Sequence, residues 1–580
     1  MGVSSQSRSP SLRGFRTTAT GASVGTVHHR MYSVGSMTGN HDQGARAIQF
    51  VKWATLLVAI CLSNHQMWDL LVYYGRSHRF LYMFLFFGIW ILAISAIAIL
   101  SGIRSFAFRL PWILILTVSS FVSDVHFRVM HTYIGLESVM TFWEARTGAT
   151  DAFFTYRNDV VFSFFTAAIL FTAMLAYPSI EMRARFKHWL SVSPLIPMGA
   201  IYVVFWMTAG AGVRALPGQF SLLPLVLGAA LEAPPTNRDE VTIPKVRNSL
   251  VNKIVLIVDE SVRGDFIDLS KASASTPFLA SIKDQVIDFG LALSGSNCSV
   301  QSNAILRMGA NPRTLGTKEG DIRKNPTIWA YAKTAGFSTA YVDDQMENGQ
   351  LSSYMNKQEL SQIDTFAQMT GLGYQKDLSA IAKVVSLLNS HPNAFIYWNK
   401  LGAHTPYEAR YPAEFGRFDP RLERTVPSVE DRERLTNSYK NAISWAVDHF
   451  FQSLLGQVDL KHTLIIYTSD HGQNLLDDGT TRTHCGLTDP DIHEALVPLL
   501  VFNDTPSLRP RLVEAAALNR NRSSHFQIFP TILEVLGFAS ERTKDKYFSS
   551  LFESTAGPPG FTYGTIFGYM GRGVKWASYE

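Results

Sequence analysis

The chain has 580 residues, of which 47% are hydrophobic and only 17% are charged, against about a quarter charged in ordinary soluble proteins. This composition excludes a disordered chain and a typical cytosolic enzyme, yet it is too polar for a protein that lies wholly in a membrane. The net charge of +5 requires no nucleic-acid partner, because much of the basic excess lies in the N-terminal segment and in short loops between apolar runs. We therefore expect a membrane part joined to a water-soluble part.

Residues 1–46 are rich in serine and glycine, contain five arginines and a single acid, and lack apolar periodicity. These features are typical of a disordered basic tail. No apolar segment with a small-residue cleavage site follows the arginines, so we do not expect a signal peptide.

Residues 47–213 are dominated by uncharged runs long enough to cross a bilayer, which requires about 20 apolar residues as a helix. Three runs contain no Asp, Glu, Lys or Arg, namely 80–103, 160–180 and 188–213. Two weaker runs, 53–68 and 110–123, are either membrane-spanning or buried and re-entrant. We predict five transmembrane helices, at 50–70, 80–102, 106–124, 159–178 and 193–213.

The basic residues favour one orientation of these helices. Arginine and lysine concentrate in the tail, in the turn at 102–109 and in the connection at 179–192, and such residues mark cytoplasmic loops. Five crossings then place everything after about residue 214 on the far side of the membrane. The segment 214–248 is a proline-rich linker whose apolar stretch 220–231 is too short to span. It either lies on the membrane surface or packs on the globular domain.

Residues 249–580 have the sequence pattern of a soluble α/β domain. Short β-branched runs alternate with amphipathic stretches, which favours a mostly parallel sheet covered by helices on both faces. In such sheets ligands bind beyond the carboxyl ends of the strands, so functional residues should follow the strands. The predicted strands are 253–258, 339–342, 394–398, 463–467 and 496–502, and the predicted helices are 276–285, 325–335, 376–389, 432–455 and 524–537.

Acidic residues and a histidine follow two of the predicted strands. Glu260 comes after the first strand, and Asp470 and His471 follow the strand at 463–467. Neighbouring residues on a strand point to opposite faces, so Asp470 and His471 can bind one ion only if the chain has turned, which Gly472 permits. Carboxylate and imidazole ligands suit zinc, or manganese if oxygens dominate. A structural turn is the alternative for Asp-His-Gly alone, and an acid at a second strand end favours the metal.

Two more histidines and a polar segment lie in the same domain. His404 and His484 are in glycine-containing loops after predicted strands, and the serine-rich segment 294–303 precedes the helix-like residues 304–308. A serine at a helix N-terminus lies beside unpaired backbone N–H groups, which favour an anion such as phosphate. Ordinary N-capping also favours serine at that position, so both interpretations stay open.

In order and spacing, these residues resemble the phosphoethanolamine transferases of the alkaline phosphatase and sulfatase superfamily. The resemblance covers most of the chain from about residue 50. It implies five transmembrane helices followed by a periplasmic, alkaline-phosphatase-like α/β domain at 249–580. Its strongest anchors are the strand ending in Glu260, Ser469-Asp470-His471-Gly472, Gly402 to His404 with Tyr407 and Arg410-Tyr411-Pro412, and His484 with Gly486.

The resemblance assigns roles to individual residues. Glu260, Asp470 and His471 look like zinc ligands, and Ser299 looks like the metal-bound nucleophile. His404 and His484 look like contacts to the substrate phosphate.

Several positions depart from the family pattern and indicate a divergent branch. Asp259 stands where a glycine is usual, Ser299 where the family has threonine, and Gln473 with Asn474 where Glu-Ser is common. Many members carry several disulfides in this domain. Here at most Cys298 and Cys485 could pair, because the third cysteine, Cys61, lies in a predicted membrane helix, so we do not expect disulfides to hold this domain together.

The implied reaction is metal-dependent transfer of phosphoethanolamine from phosphatidylethanolamine to a cell-envelope acceptor through a phospho-serine intermediate. The acceptor is lipid A, a core sugar or a glycan, and the implied location is a bacterial inner membrane with the catalytic domain in the periplasm. A phosphoglycerol transferase or a phosphodiesterase of the same superfamily is the nearest alternative. An inactive membrane sensor or scaffold is an alternative of another class. A formylglycine-type sulfatase is not expected, because neither Cys298 nor Ser299 is followed by the Pro and Arg which that modification requires.

Overall fold

The computed structural model describes most of the chain from Thr38 onward. Residues 1–37 of the predicted tail lie outside the described part. The described residues are 38–64, 67–76, 78, 80–130, 132–144, 153, 156–176, 178, 192–207, 216–231, 237–269, 274–423, 429–487, 489–554, 557–568 and 573–578.

The first part of the chain is helical. Three of its helices, α3, α4 and α6, are long and apolar enough to cross a membrane, and they match the spans predicted at 80–102, 106–124 and 159–178. Helices α1 to α8 are Thr38–Leu62, Met67–Arg76, Phe80–Gly102, Phe106–Met130, Leu136–Glu144, Arg157–Leu175, Leu195–Met207 and Leu222–Leu231.

The other two predicted spans differ from expectation. The span at 50–70 is divided between α1 and α2, and α1 already begins at Thr38, inside the segment predicted as a disordered tail. Ser63 and Asn64 end α1, because their side chains donate to the carbonyls of Ala59 and Ile60. The span at 193–213 contains α7, which has 13 residues, and 208–215 lie outside the described residues. Five crossings therefore stay a prediction.

Part of the predicted linker packs against the helices of the helical part. After α7, a 3-10 turn at Gly218–Phe220 leads into α8, and Leu225 of α8 is buried in the same apolar cluster as residues of α3 and α4. The carbonyl of Gly218 accepts hydrogen bonds from Ser119 and Ser123 of α4. These bonds satisfy backbone that would be costly to leave unpaired among apolar helices. The apolar stretch of the linker thus packs against the helices.

An eight-stranded sheet forms the centre of the α/β domain, in the order β4-β3-β5-β1-β6-β7-β2-β8. β7 is antiparallel to its neighbours β6 and β2, and the other neighbouring pairs are parallel, which confirms the predicted mostly parallel sheet. Strands β9 and β10 pair in a second, two-stranded sheet. Strands β1 to β10 are Lys253–Asp259, Ile287–Leu293, Ser338–Asp343, Thr365–Gln368, Ala394–Asn399, Thr463–Ser469, Leu496–Phe502, Ser523–Ser524, Phe561–Tyr563 and Lys575–Ala577.

Helices cover both faces of the sheet, as the sequence predicts. Along β1, Ile254 and Leu256 belong to one apolar core, whereas Val255 and Ile257 belong to another, because successive side chains point to opposite faces. A π-helical turn at Ser444–His449 joins α14 to α15. Helices α9 to α18 are Pro277–Ser281, Ser299–Met308, Ile328–Thr334, Lys357–Leu360, Gly373–Ser390, Arg432–Ile443, Phe450–Leu455, Arg509–Asn519, His525–Leu536 and Ser540–Lys546.

The helical part and the α/β domain are packed together. Lys52–Glu580 form one compact unit, the second of two along the chain, and this unit holds the helical part from Lys52 onward together with the α/β domain. One apolar cluster in the second unit includes Leu136 and Phe220 of the helical part together with Ile305 and Phe526 of the α/β domain. The predicted anchor and the predicted catalytic domain therefore share a core.

Candidate active site

Three predicted metal ligands meet at the carboxyl edge of the central strands. β1 and β6 are parallel neighbours, with Asp259 opposite Ser469, so the next residues, Glu260 and Asp470, leave the sheet side by side. Glu260, Asp470 and His471 are buried, and each offers one ligand atom within 4.8 Å of the others. The structure thus brings together the residues that the sequence singles out as ligands.

The chain turns after Asp470, as the sequence predicts. The Gly472 N–H donates to the carbonyl of Glu494 at 2.9 Å, and His471 Nδ1 donates to the carbonyl of Gly472 at 2.6 Å. His471 Nε2 then faces the cluster, 3.4 Å from Glu260 Oε1 and 3.7 Å from Asp470 Oδ2. A backbone acceptor on one ring nitrogen is the usual way to orient a metal-binding histidine.

The electrostatics of this cluster fit a metal ion. Burial and the nearby charge of Glu260 raise the pKa of Asp470 well above its usual range. Burial alone would lower the pKa of His471, but Asp470 and Glu260 outweigh it and raise the pKa to about 9. Asp470 Oδ2 is buried and has no hydrogen-bond partner among the described residues. A buried, unpaired carboxylate oxygen is costly, and a divalent cation compensates for it.

Ser299 lies at the same cluster. It is the first residue of α10, which begins five residues before the helix-like stretch at 304–308, with Cys298 in extended conformation as the N-cap. Its Oγ is 3.0 Å from His471 Nε2 and 3.5 Å from Glu260 Oε1. The hydroxyl therefore lies beside the candidate metal ligands and also at a helix N-terminus, where unpaired N–H groups favour phosphate.

The two remaining predicted histidines flank the cluster. The His484 ring stacks on His471 with centroids 4.3 Å apart, and the His404 and His484 centroids are 6.4 Å apart. The loop carrying His404 approaches the ligands closely at Gly402, where φ is +56° and a Cβ would lie 2.2 Å from Asp259 Oδ1. Only glycine fits there, which explains the Gly-x-His spacing.

Sequence reasoning missed Gln345, which touches a candidate ligand. Its Nε2 donates to Glu260 Oε2 at 3.2 Å and to the carbonyl of Lys400 at 2.8 Å, so it orients the carboxylate. Gln345 follows the end of β3 at the functional edge of the sheet. Its place just after a predicted strand is the sequence feature that could have identified it.

Asp259, which departs from the family pattern, supports the backbone beneath Glu260. Its Oδ2 accepts hydrogen bonds from Lys400 Nζ at 2.7 Å and from the Tyr467 hydroxyl at 2.9 Å. Its Oδ1 accepts from the Glu260 N–H at 3.1 Å. The charge is thus balanced by a buried lysine, and Asp259 acts on Glu260 through the backbone.

Replacing Gln345 with leucine is expected to lower the affinity for a divalent cation about tenfold, because outer-sphere partners of metal ligands typically contribute about 10- to 100-fold. Competition with a chromogenic chelator, with zinc as the probe, measures the change. Gln350→Leu is the matched control, since Gln350 is an exposed glutamine in the segment after the same strand. Equal affinities for the two variants would contradict the orienting role.

Cys298 and Cys485 form a disulfide, the one pairing that the sequence left open, so the expectation that disulfides do not hold this domain together is wrong. The bond joins the residue before Ser299 to the residue after His484. Beside it, the Cys485 N–H donates to the carbonyl of Asn297 at 2.9 Å. The disulfide therefore ties the helix N-terminus that presents the hydroxyl to the loop that presents a histidine.

The double substitution Cys298→Ser and Cys485→Ser is expected to destabilise the α/β domain by about 2–5 kcal/mol, the usual cost of losing a native disulfide. It should also slow any reaction that needs both Ser299 and His484. Thermal unfolding with and without dithiothreitol measures the first effect. The reductant should lower the midpoint of the wild type and leave that of the double variant unchanged. Cys61→Ser, which removes the free cysteine, should behave as the wild type does.

A second acidic group lies on the surface nearby. Asp477, Asp491 and His493 offer ligand atoms within 4.8 Å of one another. However, Asp477 pairs with Arg263 at 2.6 Å and with Arg432 at 2.7 Å, so its charge is already balanced by the protein. We assign no ion to this group, and His493 pairs locally through Nδ1 with Asp491 at 2.7 Å.

We call the group of Glu260, Ser299, Asp470 and His471 at the carboxyl edge of the sheet the edge cluster. The fold and the edge cluster together define a catalytic domain of the sulfatase type. Residues 252–538 match the sulfatase family model. By this match and by the curated relatives below, the chain resembles the membrane phosphoethanolamine transferases of the alkaline phosphatase and sulfatase superfamily.

Curated relatives are similar to this chain in sequence, and a solved structure is similar to it in fold. The chain is 26% identical over 310 residues to the Kdo(2)-lipid A phosphoethanolamine 7''-transferase of Escherichia coli K12, and 25% identical over 310 residues to the Salmonella typhimurium protein of that name. Each match covers 50% of this chain and 52% of the relative, so the chain spans about half the length of the curated relatives it matches. The fold is similar to that of lipooligosaccharide phosphoethanolamine transferase A from Neisseria meningitidis, with a TM-score of 0.62 at 16% identity, covering 85% of this chain and 97% of that one.

Proposed function

We propose that this protein transfers phosphoethanolamine from phosphatidylethanolamine to an acceptor in the bacterial cell envelope, through a covalent intermediate on Ser299. The observation that carries the proposal is the position of Ser299 Oγ, 3.0 Å from His471 Nε2 at the N-terminus of α10. The names of the curated relatives support phosphoethanolamine as the transferred group and lipid A as the acceptor.

We propose zinc as the bound ion, with manganese as the alternative. Glu260, Asp470 and His471 would hold it, and two carboxylates with one imidazole suit either metal. When bound, the ion supplies positive charge that favours the ionised hydroxyl of Ser299 and the charge that develops on phosphorus oxygens.

In the first step, Ser299 Oγ forms a bond to phosphorus while the ester bond to diacylglycerol breaks. The hydroxyl proton passes from Oγ to solvent, and the diacylglycerol oxygen takes up a proton. Burial, followed by the nearby charge of His471, lowers the pKa of His484 well below its usual range, so this ring is neutral and acts through hydrogen bonds. His404 is then the group placed to protonate the leaving oxygen.

In the second step, a hydroxyl or phosphate oxygen of the acceptor forms a bond to phosphorus and the bond to Ser299 Oγ breaks. The acceptor loses a proton if it is a hydroxyl, and Ser299 recovers one. The N-terminus of α10 favours the phosphate in both steps, because its backbone N–H groups are oriented toward the anion before the reaction starts.

We place the protein in the bacterial inner membrane with the α/β domain in the periplasm. The three spanning-length helices and the arginine-rich N-terminal segment support this location. Anchoring is useful because the donor is a lipid, and it holds the site near the headgroups.

The test uses the full chain in vesicles of phosphatidylethanolamine, with purified lipid A as acceptor and mass spectrometry of the Ser299 peptide. One phosphoethanolamine unit on Ser299 without acceptor, and on lipid A with it, is the expected result. A phosphoglycerol adduct in phosphatidylglycerol vesicles would identify the phosphoglycerol transferase instead. Free phosphoethanolamine with unmodified acceptor would identify a phosphodiesterase. Neither adduct nor bound zinc would identify an inactive sensor or scaffold.

A further inference from the structure

Arg109 carries a buried charge that the described residues do not balance. It lies near the N-terminus of α4, one of the spanning-length helices, and is only 4% exposed. Two of its side-chain nitrogens, Nε and Nη1, are buried and have no hydrogen-bond partner among the described residues. A guanidinium stays protonated in proteins, so Arg109 cannot lose its charge, and a buried charge without a partner is costly. The position therefore favours a bound anion.

The neighbouring sequence offers no carboxylate to serve as that anion. The runs 43–68 and 70–123 contain no aspartate or glutamate, and together they include all of α3, most of α1 and α4 up to Ser123. The first acid of α4 is Asp124, about 22 Å further along the helix axis at 1.5 Å per residue. Asp124 pairs there with Arg128 at 3.1 Å. An anion at Arg109 must therefore come from another molecule.

Lys52 of α1 adds a second positive charge at the same end of α3 and α4. It is buried, and its Nζ donates to the carbonyl of Ser101 in the last turn of α3 at 2.5 Å. α3 ends at Gly102 and α4 begins at Phe106, so the two basic residues lie on either side of one short turn.

The N-terminus of α4 contributes further positive charge. The first N–H groups of a helix are unpaired and attract anions, and helical side chains point back toward the N-terminus, which directs Arg109 to that end. Guanidinium groups and helix N-termini are both donors that phosphate oxygens accept well. The chemistry at this end of α4 therefore fits a phosphate group.

We propose that Arg109, together with Lys52 and the N-terminus of α4, binds the phosphate group of an anionic phospholipid. Arg109 lies near the end of a spanning-length helix, which is the depth of lipid headgroups, and basic pockets between membrane helices bind such headgroups. Phosphatidylglycerol fits because its headgroup brings no cation. The ammonium group of phosphatidylethanolamine would add a third positive charge where the neighbouring sequence has no acid. None of the described contacts of the edge cluster involves α1, α3 or α4, so this lipid is distinct from the donor of the proposed reaction.

The experiment uses the full-length protein in lipid-free detergent, to which phosphatidylglycerol, phosphatidylethanolamine or inorganic phosphate is added. Phosphatidylglycerol should raise the melting temperature of the wild type by mass action, and the other two should change it little. In native mass spectrometry, Arg109→Gln should bind phosphatidylglycerol at least about tenfold more weakly, the factor expected for losing a hydrogen bond to a charged group. Without lipid, Arg109→Gln should melt no lower than the wild type, because it removes a buried unpaired charge. Arg104→Gln, at an exposed arginine in the turn before α4, is the matched control and should bind as the wild type does.

Each arm of the experiment can overturn part of the proposal. Equal stabilisation by inorganic phosphate would assign the site to a free phosphate and overturn the lipid assignment. Equal binding of phosphatidylethanolamine would overturn the choice of an anionic headgroup. An unchanged affinity of Arg109→Gln for phosphatidylglycerol would overturn the site itself, and so would a lower melting temperature of that variant without lipid, since Arg109 would then stabilise the fold by itself. None of these readouts depends on the activity proposed for Ser299.

Discussion

Replacing Ser299 with alanine is expected to abolish the phospho-enzyme and to slow overall transfer about 10⁴-fold or more, the scale on which enzymes lose activity without their nucleophile. Ser299 Oγ lies 3.0 Å from His471 Nε2 and 3.5 Å from Glu260 Oε1. Alanine removes the attacking atom and leaves the helix start and the disulfide intact. A single turnover with phosphatidylethanolamine labelled in the headgroup, followed by mass spectrometry, measures the effect.

Two further variants make this result specific. Ser299→Thr should retain transfer within about tenfold, because it keeps a hydroxyl and threonine is the residue that the resemblance leads us to expect there. Ser281→Ala removes a serine hydroxyl that bonds only locally, to the carbonyl of Phe278, and should change nothing. A labelled phospho-enzyme in the Ser299→Ala protein would contradict the nucleophile assignment.

The edge cluster could be predicted from the sequence because its geometry follows from strand order. Parallel strands place their carboxyl ends at one edge, and β1 and β6 are such strands, rich in β-branched residues. Strand β2 was missed because Gly290, with φ of +75°, lies where the strand is irregular, and a glycine inside a strand weakens the pattern. Gln345 was missed for another reason, since only the folded chain brings it to Glu260 and Lys400, which are distant from it in sequence.

The helical part was less predictable than the α/β domain. Apolar length alone identifies α3, α4 and α6, but it does not indicate where a helix is interrupted by polar side chains. Asn64 Nδ2 donates to Gln219 Oε1 at 3.2 Å, and Gln219 Nε2 donates to Ser120 Oγ at 3.1 Å. These buried pairs join the end of α1 to the turn before α8, and their cost without partners ties the linker to the helices.

Replacing Asp470 with asparagine is expected to abolish metal binding while stabilising the metal-free protein. Asparagine can keep the bonds that Asp470 Oδ1 accepts from the Ser261 N–H at 3.1 Å and the His471 N–H at 2.7 Å. It removes the buried charge beside Glu260, so the metal-free melting temperature should rise by about 2 °C or more. With the ligand gone, zinc affinity should fall by more than the roughly 10- to 100-fold that an outer-sphere partner contributes.

Melting in chelator and in excess zinc, together with the zinc content, tests both halves of this expectation. The wild type should gain stability from zinc by mass action, whereas Asp470→Asn should start higher and gain little. Asp459→Asn, at an exposed acid that pairs with His462 at 2.7 Å, controls for loss of a charge and should respond to zinc as the wild type does. A lower metal-free melting temperature in Asp470→Asn would mean that Asp470 stabilises the fold by itself. Full zinc content in that variant would place the ion elsewhere. The two effects have opposite signs, and this distinguishes a metal site from an acidic pocket. Only a metal ligand both destabilises the metal-free protein and stabilises the metal-bound protein.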